Sequence, residues 1–155
     1  MRFVRLFLFV LLSTAALAAS DVTLVRVWSG PRTAESFARI SEYFSGEENP
    51  GAQTIVRTQP GFRAGYYWLI RTKAGTATEA TIELSVLAPD SAAPRIYTLS
   101  TRLPAGRHVT LAGLTGADWP QPEARPVAWR LRVLNGAGQQ LAAEQSFLWV
   151  ASPSP

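Results

Sequence analysis

The chain contains no cysteine among its 155 residues. That excludes disulfides, zinc–thiolate centres, redox dithiols and a thiol nucleophile. It also removes the residue that a lipobox would acylate. Histidine is nearly as scarce, with His108 alone. One imidazole and no thiolate leave little to hold a transition metal. No G-x-S-x-G elbow occurs, and His108 follows Ala105-Gly106-Arg107 in a turn. It reads as a solvent-exposed strand end rather than a catalytic base. Apart from the N-terminus, no apolar run approaches the roughly 20 residues that span a bilayer as a helix.

What is present starts at residue 1. Arg2 and Arg5 form a basic start, Phe3–Leu12 an apolar stretch, and Ala16-Leu17-Ala18 a small-residue cleavage site. Residues 1–18 read as a secretory signal peptide, with the mature chain starting near Ala19. The expectation is an exported bacterial protein, periplasmic or secreted, with no transmembrane span after cleavage. Fourteen of the fifteen basic residues are arginine, and the net charge is +4. Loss of Arg2 and Arg5 leaves +2. That is too weak a field to argue for nucleic acid.

Residues 19–150 read as one β domain, and 151–155 (ASPSP) as a disordered tail. Strands are expected at Val22–Trp28, Gln53–Thr58, Gly65–Lys73, Thr78–Leu87, Arg95–Leu103, His108–Leu111, Val127–Leu134 and Gln140–Val150. Thr33–Phe44 differs: Phe37, Ile40, Tyr43 and Phe44 share a helical face, expected to lie against the sheet. Asn135-Gly136-Ala137-Gly138 marks a hairpin. The pattern predicts an antiparallel two-sheet, immunoglobulin-like sandwich of 7–8 strands with one short helix at about 33–45. Its core is expected from Trp68, Ile70, Ile82, Leu84, Val86, Leu99, Trp129, Leu131, Val133, Phe147 and Trp149. Val109 and Leu111 are also expected to point inward.

Two segments, Val109-Thr-Leu-Ala-Gly-Leu114 and Trp129-Arg-Leu-Arg-Val-Leu-Asn-Gly-Ala-Gly138, resemble the last strands of fibronectin type III domains. Leu114 matches the loop leucine of that pattern, and Trp129 stands where the family has a tyrosine. Additional residues separate the two segments, and the early helix has no counterpart. The resemblance implies the sandwich architecture and no binding residues.

Three constellations bear on function. Glu35 and Glu42 lie on one side of the expected helix, with Glu47-Glu48 after it. They read either as a solvated face paired with Arg39 or as carboxylates for an enzyme. Arg57, Arg71, Lys73, Arg130 and Arg132 form a positive strip if their strands share a sheet. The alternative is cross-strand pairing, with Arg130 facing Glu144. Among the aromatics, Trp119 and Tyr67 are candidates for a partner contact. Trp119 reads either as a plug closing the sandwich or as an exposed patch. The candidate partner-binding set is therefore Trp119, Tyr67, Arg71, Arg130 and Arg132, with no catalytic, cofactor or metal residues. The expected function is a non-catalytic binding or interaction module of the cell envelope, with a protein or glycan partner. A structural subunit of an envelope assembly and a carboxylate-dependent enzyme are the alternatives.

Overall fold

Strands form where apolar and polar residues alternate, because each sheet has one face in the core and one outside. A computed structural model describes residues 21–151; residues 1–20, with the expected signal peptide, and residues 152–155 lie outside the described residues. Eight strands are present: β1 (Val22–Arg32), β2 (Thr54–Arg57), β3 (Gly65–Ala74), β4 (Thr78–Leu87), β5 (Arg95–Leu103), β6 (Gly106–Thr115), β7 (Ala128–Asn135) and β8 (Gln140–Gln145). Sheet one has the order β1-β3-β6-β2, and sheet two β5-β4-β7-β8. All pairings are antiparallel except β2 with β6, which is parallel.

With β2 and β5 set aside, β1-β3-β6 and β4-β7-β8 follow the A-B-E and C-F-G orders of immunoglobulin domains. β5 then takes the C′ place beside C. The chain is an immunoglobulin-like sandwich. β2 fills the edge place next to β6, but it comes from the segment between β1 and β3.

Trp68, Leu84, Leu114 and Leu131 are fully buried between the sheets. Trp68 packs edge-on against Tyr66 (5.1 Å between centroids) and Trp129 (6.1 Å). Aromatic pairs favour this arrangement because a positive ring edge meets a negative face.

Four expectations are corrected. β6 is ten residues long, and Thr110, Ala112 and Leu114 face the core. Val109 and Leu111 point outward, opposite β3's Arg71 and Leu69. The last strand ends at Gln145, and a 3-10 turn (Phe147–Ala151) follows, so Phe147 is exposed instead of buried. A bulge beyond Val133 shifts the β7–β8 register, so Arg130 faces Gln145 and Glu144 faces Leu131. The β1 strand runs on through Ser29-Gly30-Pro31 to Arg32, with its own irregularity at Val25.

Gly65 begins β3 against the backbone of β6, opposite Thr115. A Cβ there would overlap the Leu114 carbonyl. Gly136, in the β7–β8 turn, has nothing within 4 Å. We expect Gly65→Ala to cost about 1–3 kcal/mol by overpacking and Gly136→Ala to be near neutral. Urea midpoints of the two variants check this.

Candidate functional site

The part of the chain that a bare sandwich does not require is the segment between β1 and β3. It folds back over the outer face of sheet one as a cap. Its first turn is a 3-10 helix (Glu35–Phe37), and α1 (Ile40–Ser45) follows. Ala38 and Arg39 between them are extended, with ψ of 132° and 150°. The single helix expected at 33–45 is therefore broken, and the break resets the phase of its faces. Phe37 turns inward and is buried. Ile40, Tyr43 and Phe44, expected against the sheet, are instead 84%, 90% and 83% exposed. Gly46 ends α1 in the left-handed conformation (φ 70°), which glycine adopts at little cost.

The cap is fastened by charge. Phe37 lies 4.9 Å from the Tyr67 ring, and the Arg57 guanidinium sits 4.8 Å over the Phe37 ring. Arg57 donates to both carboxylate oxygens of Glu48 at 2.6 Å and, through Nε, to the Tyr67 hydroxyl at 2.7 Å. Tyr67 in turn donates to the Arg63 carbonyl at 2.7 Å. Arg63 donates to Glu42 at 2.7 Å. The Arg57 side chain is only 6% exposed and that of Glu42 12%. The inward face of α1 is thus its carboxylate face. Tyr67 can reach the cluster because its cross-strand partner is Gly113, where any Cβ would overlap the ring.

The hydrogen bond from Arg57 holds the Glu48 carboxyl below its ordinary value near 4.5, against the opposing effect of burial. That from Arg63 lowers Glu42 in the same way. Burial pushes the Tyr67 phenol above 10, so it stays protonated and can donate. Both carboxylates are therefore ionised ligands of arginine. A general acid needs the opposite shift.

The other sequence candidates are dispersed. Tyr67 and Trp119 are interior, at 1% and 5% exposure, so neither presents its ring at the surface. Trp119 packs on Tyr66 and donates from its indole to the Ala124 carbonyl at 3.2 Å. Arg71 is exposed on β3. Arg132 donates to Glu83 of β4 at 2.8 Å, and Arg130 is half-buried beside it on β7. Arg71 and Lys73 belong to sheet one, Arg130 and Arg132 to sheet two, and Arg57 is under the cap. The five cations do not form one strip. His108 is half-buried, with Nε2 2.8 Å from the Thr54 hydroxyl, instead of ending in solvent. Arg39 reaches the Pro50 carbonyl at 3.4 Å rather than a glutamate. Among the described residues, no group of three or more His, Asp or Glu side chains is placed to hold a metal ion.

No family model matches the chain, and no curated protein matches it. Among solved structures, the chain is similar to an immunoglobulin-like protein from Pseudomonas aeruginosa, at 20% identity. The match covers 83% of this chain and 96% of that one, with a TM-score of 0.36.

The Arg57–Glu48 bond left one trace in the sequence. Four glutamates (35, 42, 47, 48) and three arginines (39, 57, 63) fall within the connection between β1 and β3. Which glutamate meets which arginine depends on β2 pairing with β6.

Glu48→Gln leaves a buried Arg57 charge without its carboxylate. We expect a loss of about 3 kcal/mol, read from the urea midpoint at pH 7. Glu79→Gln, which breaks a pair exposed on both sides, is expected to change nothing measurable. The pH dependence has a definite sign. The folded Glu48 pKa is lowered, so its contribution is complete above the unfolded value. It disappears as pH falls through the lowered folded value. The wild-type advantage over Glu48→Gln should therefore shrink on acidification below pH 4.5.

Proposed function

We propose that this protein is an exported, non-catalytic interaction module of the cell envelope that engages a protein partner through α1. The observation that carries the reading is the outward face of α1. Ile40, Tyr43 and Phe44 are each more than 80% exposed, on a helix whose opposite side is tied down by Glu42. They stand at i, i+3 and i+4, the anchor spacing of a helix that lies in an apolar groove. A solvated helix ordinarily carries its polar face outward. Here the order is reversed, and the ion pairs hold it so.

Three such side chains offer roughly 500 Å² of apolar surface, within the range of functional patches. A stable symmetric pair needs about 800 Å² per subunit. The patch is too small to make a lasting dimer alone and suits a partner that encloses it. Among the described residues no helix is long and apolar enough to cross a membrane. Export rests on residues 1–18, with their basic start, apolar stretch and Ala16-Leu17-Ala18. Arginines hold Glu42 and Glu48 ionised, so neither is set up as a general acid.

Residues 19–155 and the variant Ile40→Ser/Tyr43→Ser/Phe44→Ser, each immobilised, are compared for capture from an envelope extract. A specific partner should be enriched about tenfold less by the variant, with its thermal midpoint unchanged. Equal capture by both would overturn the reading of α1. The intact mass of the exported chain should correspond to a start near Ala19; retention of residues 1–18 would contradict release as a mature protein.

A further inference from the structure

Beside the cap, the other half of sheet one's outer face is open and cationic. Arg26 on β1 pairs directly with Arg71 on β3, and Lys73 on β3 pairs with Arg107 on β6. All four side chains are exposed. Among the described residues, none of them has a carboxylate within 4.0 Å. Like charges directly opposite each other in a sheet are unfavourable. This face carries two such pairs, two residues apart along β3, or about 7 Å.

The first pair is also ordered. The Arg26 and Arg71 guanidiniums lie 4.6 and 5.0 Å from the centroid of the Trp28 ring. Stacking on an indole orients a guanidinium and leaves its N–H edge free for an anion. One cation of each pair, Arg71 and Arg107, lines a trough of about 520 Å³ together with Val25, Ala52, Gln53 and Val109. Arg26 and Lys73 stand beside it as their cross-strand partners. The bulge beside Val25 brings its side chain to 55% exposure at one wall. Ala52 and Gln53 of the cap form another.

We propose that this trough binds an acidic glycan strand, with successive anionic groups taken by Arg26–Arg71 and by Lys73–Arg107. The arginine forks match carboxylate oxygens two at a time. Val25 and Val109 give the sugar C–H faces an apolar contact. Recognition across a sheet face uses side chains only, whereas an added peptide strand would need the backbone groups of an edge. The trough is concave, so a flat bilayer meets its rim and not its floor. This site is separate from α1 and does not depend on the reading given to that helix.

The test uses an octameric oligogalacturonate, with its methyl ester as the uncharged control. Poly-glutamate and phosphatidylglycerol vesicles serve as the acidic peptide and lipid arms. Titration calorimetry of residues 19–155 should give salt-sensitive binding to the oligogalacturonate and none to the ester. Arg26→Gln/Arg71→Gln should weaken it at least tenfold, and Lys73→Gln/Arg107→Gln should weaken it as well. Arg95→Gln on sheet two should leave it unchanged. Circular dichroism confirms that each variant is folded, and the second pair keeps the test valid if the first is not. No binding of the oligogalacturonate, wild-type binding by either folded double variant, or tighter binding of poly-glutamate or vesicles would overturn the proposal.

Discussion

Arg57 is the fixed point of the cap. Its guanidinium makes two bonds to Glu48 and one to Tyr67, and it covers the ring of Phe37. From β2, the edge strand of sheet one, those contacts bind the 3-10 turn and the loop after α1 to Tyr67 on the sheet's outer face. A buried arginine is costly to desolvate, and the cost is met only when its hydrogen bonds are complete. Each partner of Arg57 is therefore constrained in position. Tyr67 is in turn constrained by the missing side chain at Gly113.

Fastening by charge explains why α1 shows the apolar residues to solvent. The hydrophobic ground on sheet one beneath the cap is occupied by Phe37, which packs with Tyr67, Leu111, Ile55 and Leu69. Little remains there for a second apolar turn. The extended residues Ala38 and Arg39 then turn Glu42 toward Arg63. Sheet one consequently carries both distinctive surfaces, the apolar helix on its covered half and the arginine pairs on its open half. On sheet two's outer face, Arg132 pairs instead with Glu83 and Arg102 with Glu79.

The two-sheet architecture and most of the core could be read from alternation alone. Trp68, Ile70, Ile82, Leu84, Val86, Leu131 and Val133 are buried as their registers required. Register failed where one residue was inserted or a strand outran its expected ends. The bulge after Val133 moved Glu144 away from Arg130. In β6, the expected inward pair Val109 and Leu111 gave way to Thr110, Ala112 and Leu114. A threonine and an alanine carry a weaker apolar signal than valine and leucine, yet both are fully buried. The cap was the least legible part. Helical spacing from Phe37 to Phe44 was present, but the interruption at Ala38 and Arg39 has no glycine or proline to mark it. The Trp28 environment was equally hidden, because it requires β1 to lie beside β3 with Arg26 opposite Arg71.

Amide hydrogen exchange at pH 7 tests most directly whether the cap is a fixed part of the domain. The amide of Thr58 bonds to the Gly113 carbonyl, and β2 runs in ladder with β6 over Thr54–Arg57. If Arg57 fastens the cap as described, the amides in β2 and Thr58 that bond to β6 are protected within a few-fold of those in β6 itself. Exchange of those amides at the rate of an unfolded chain, while β3, β4 and β7 stay protected, would contradict the account.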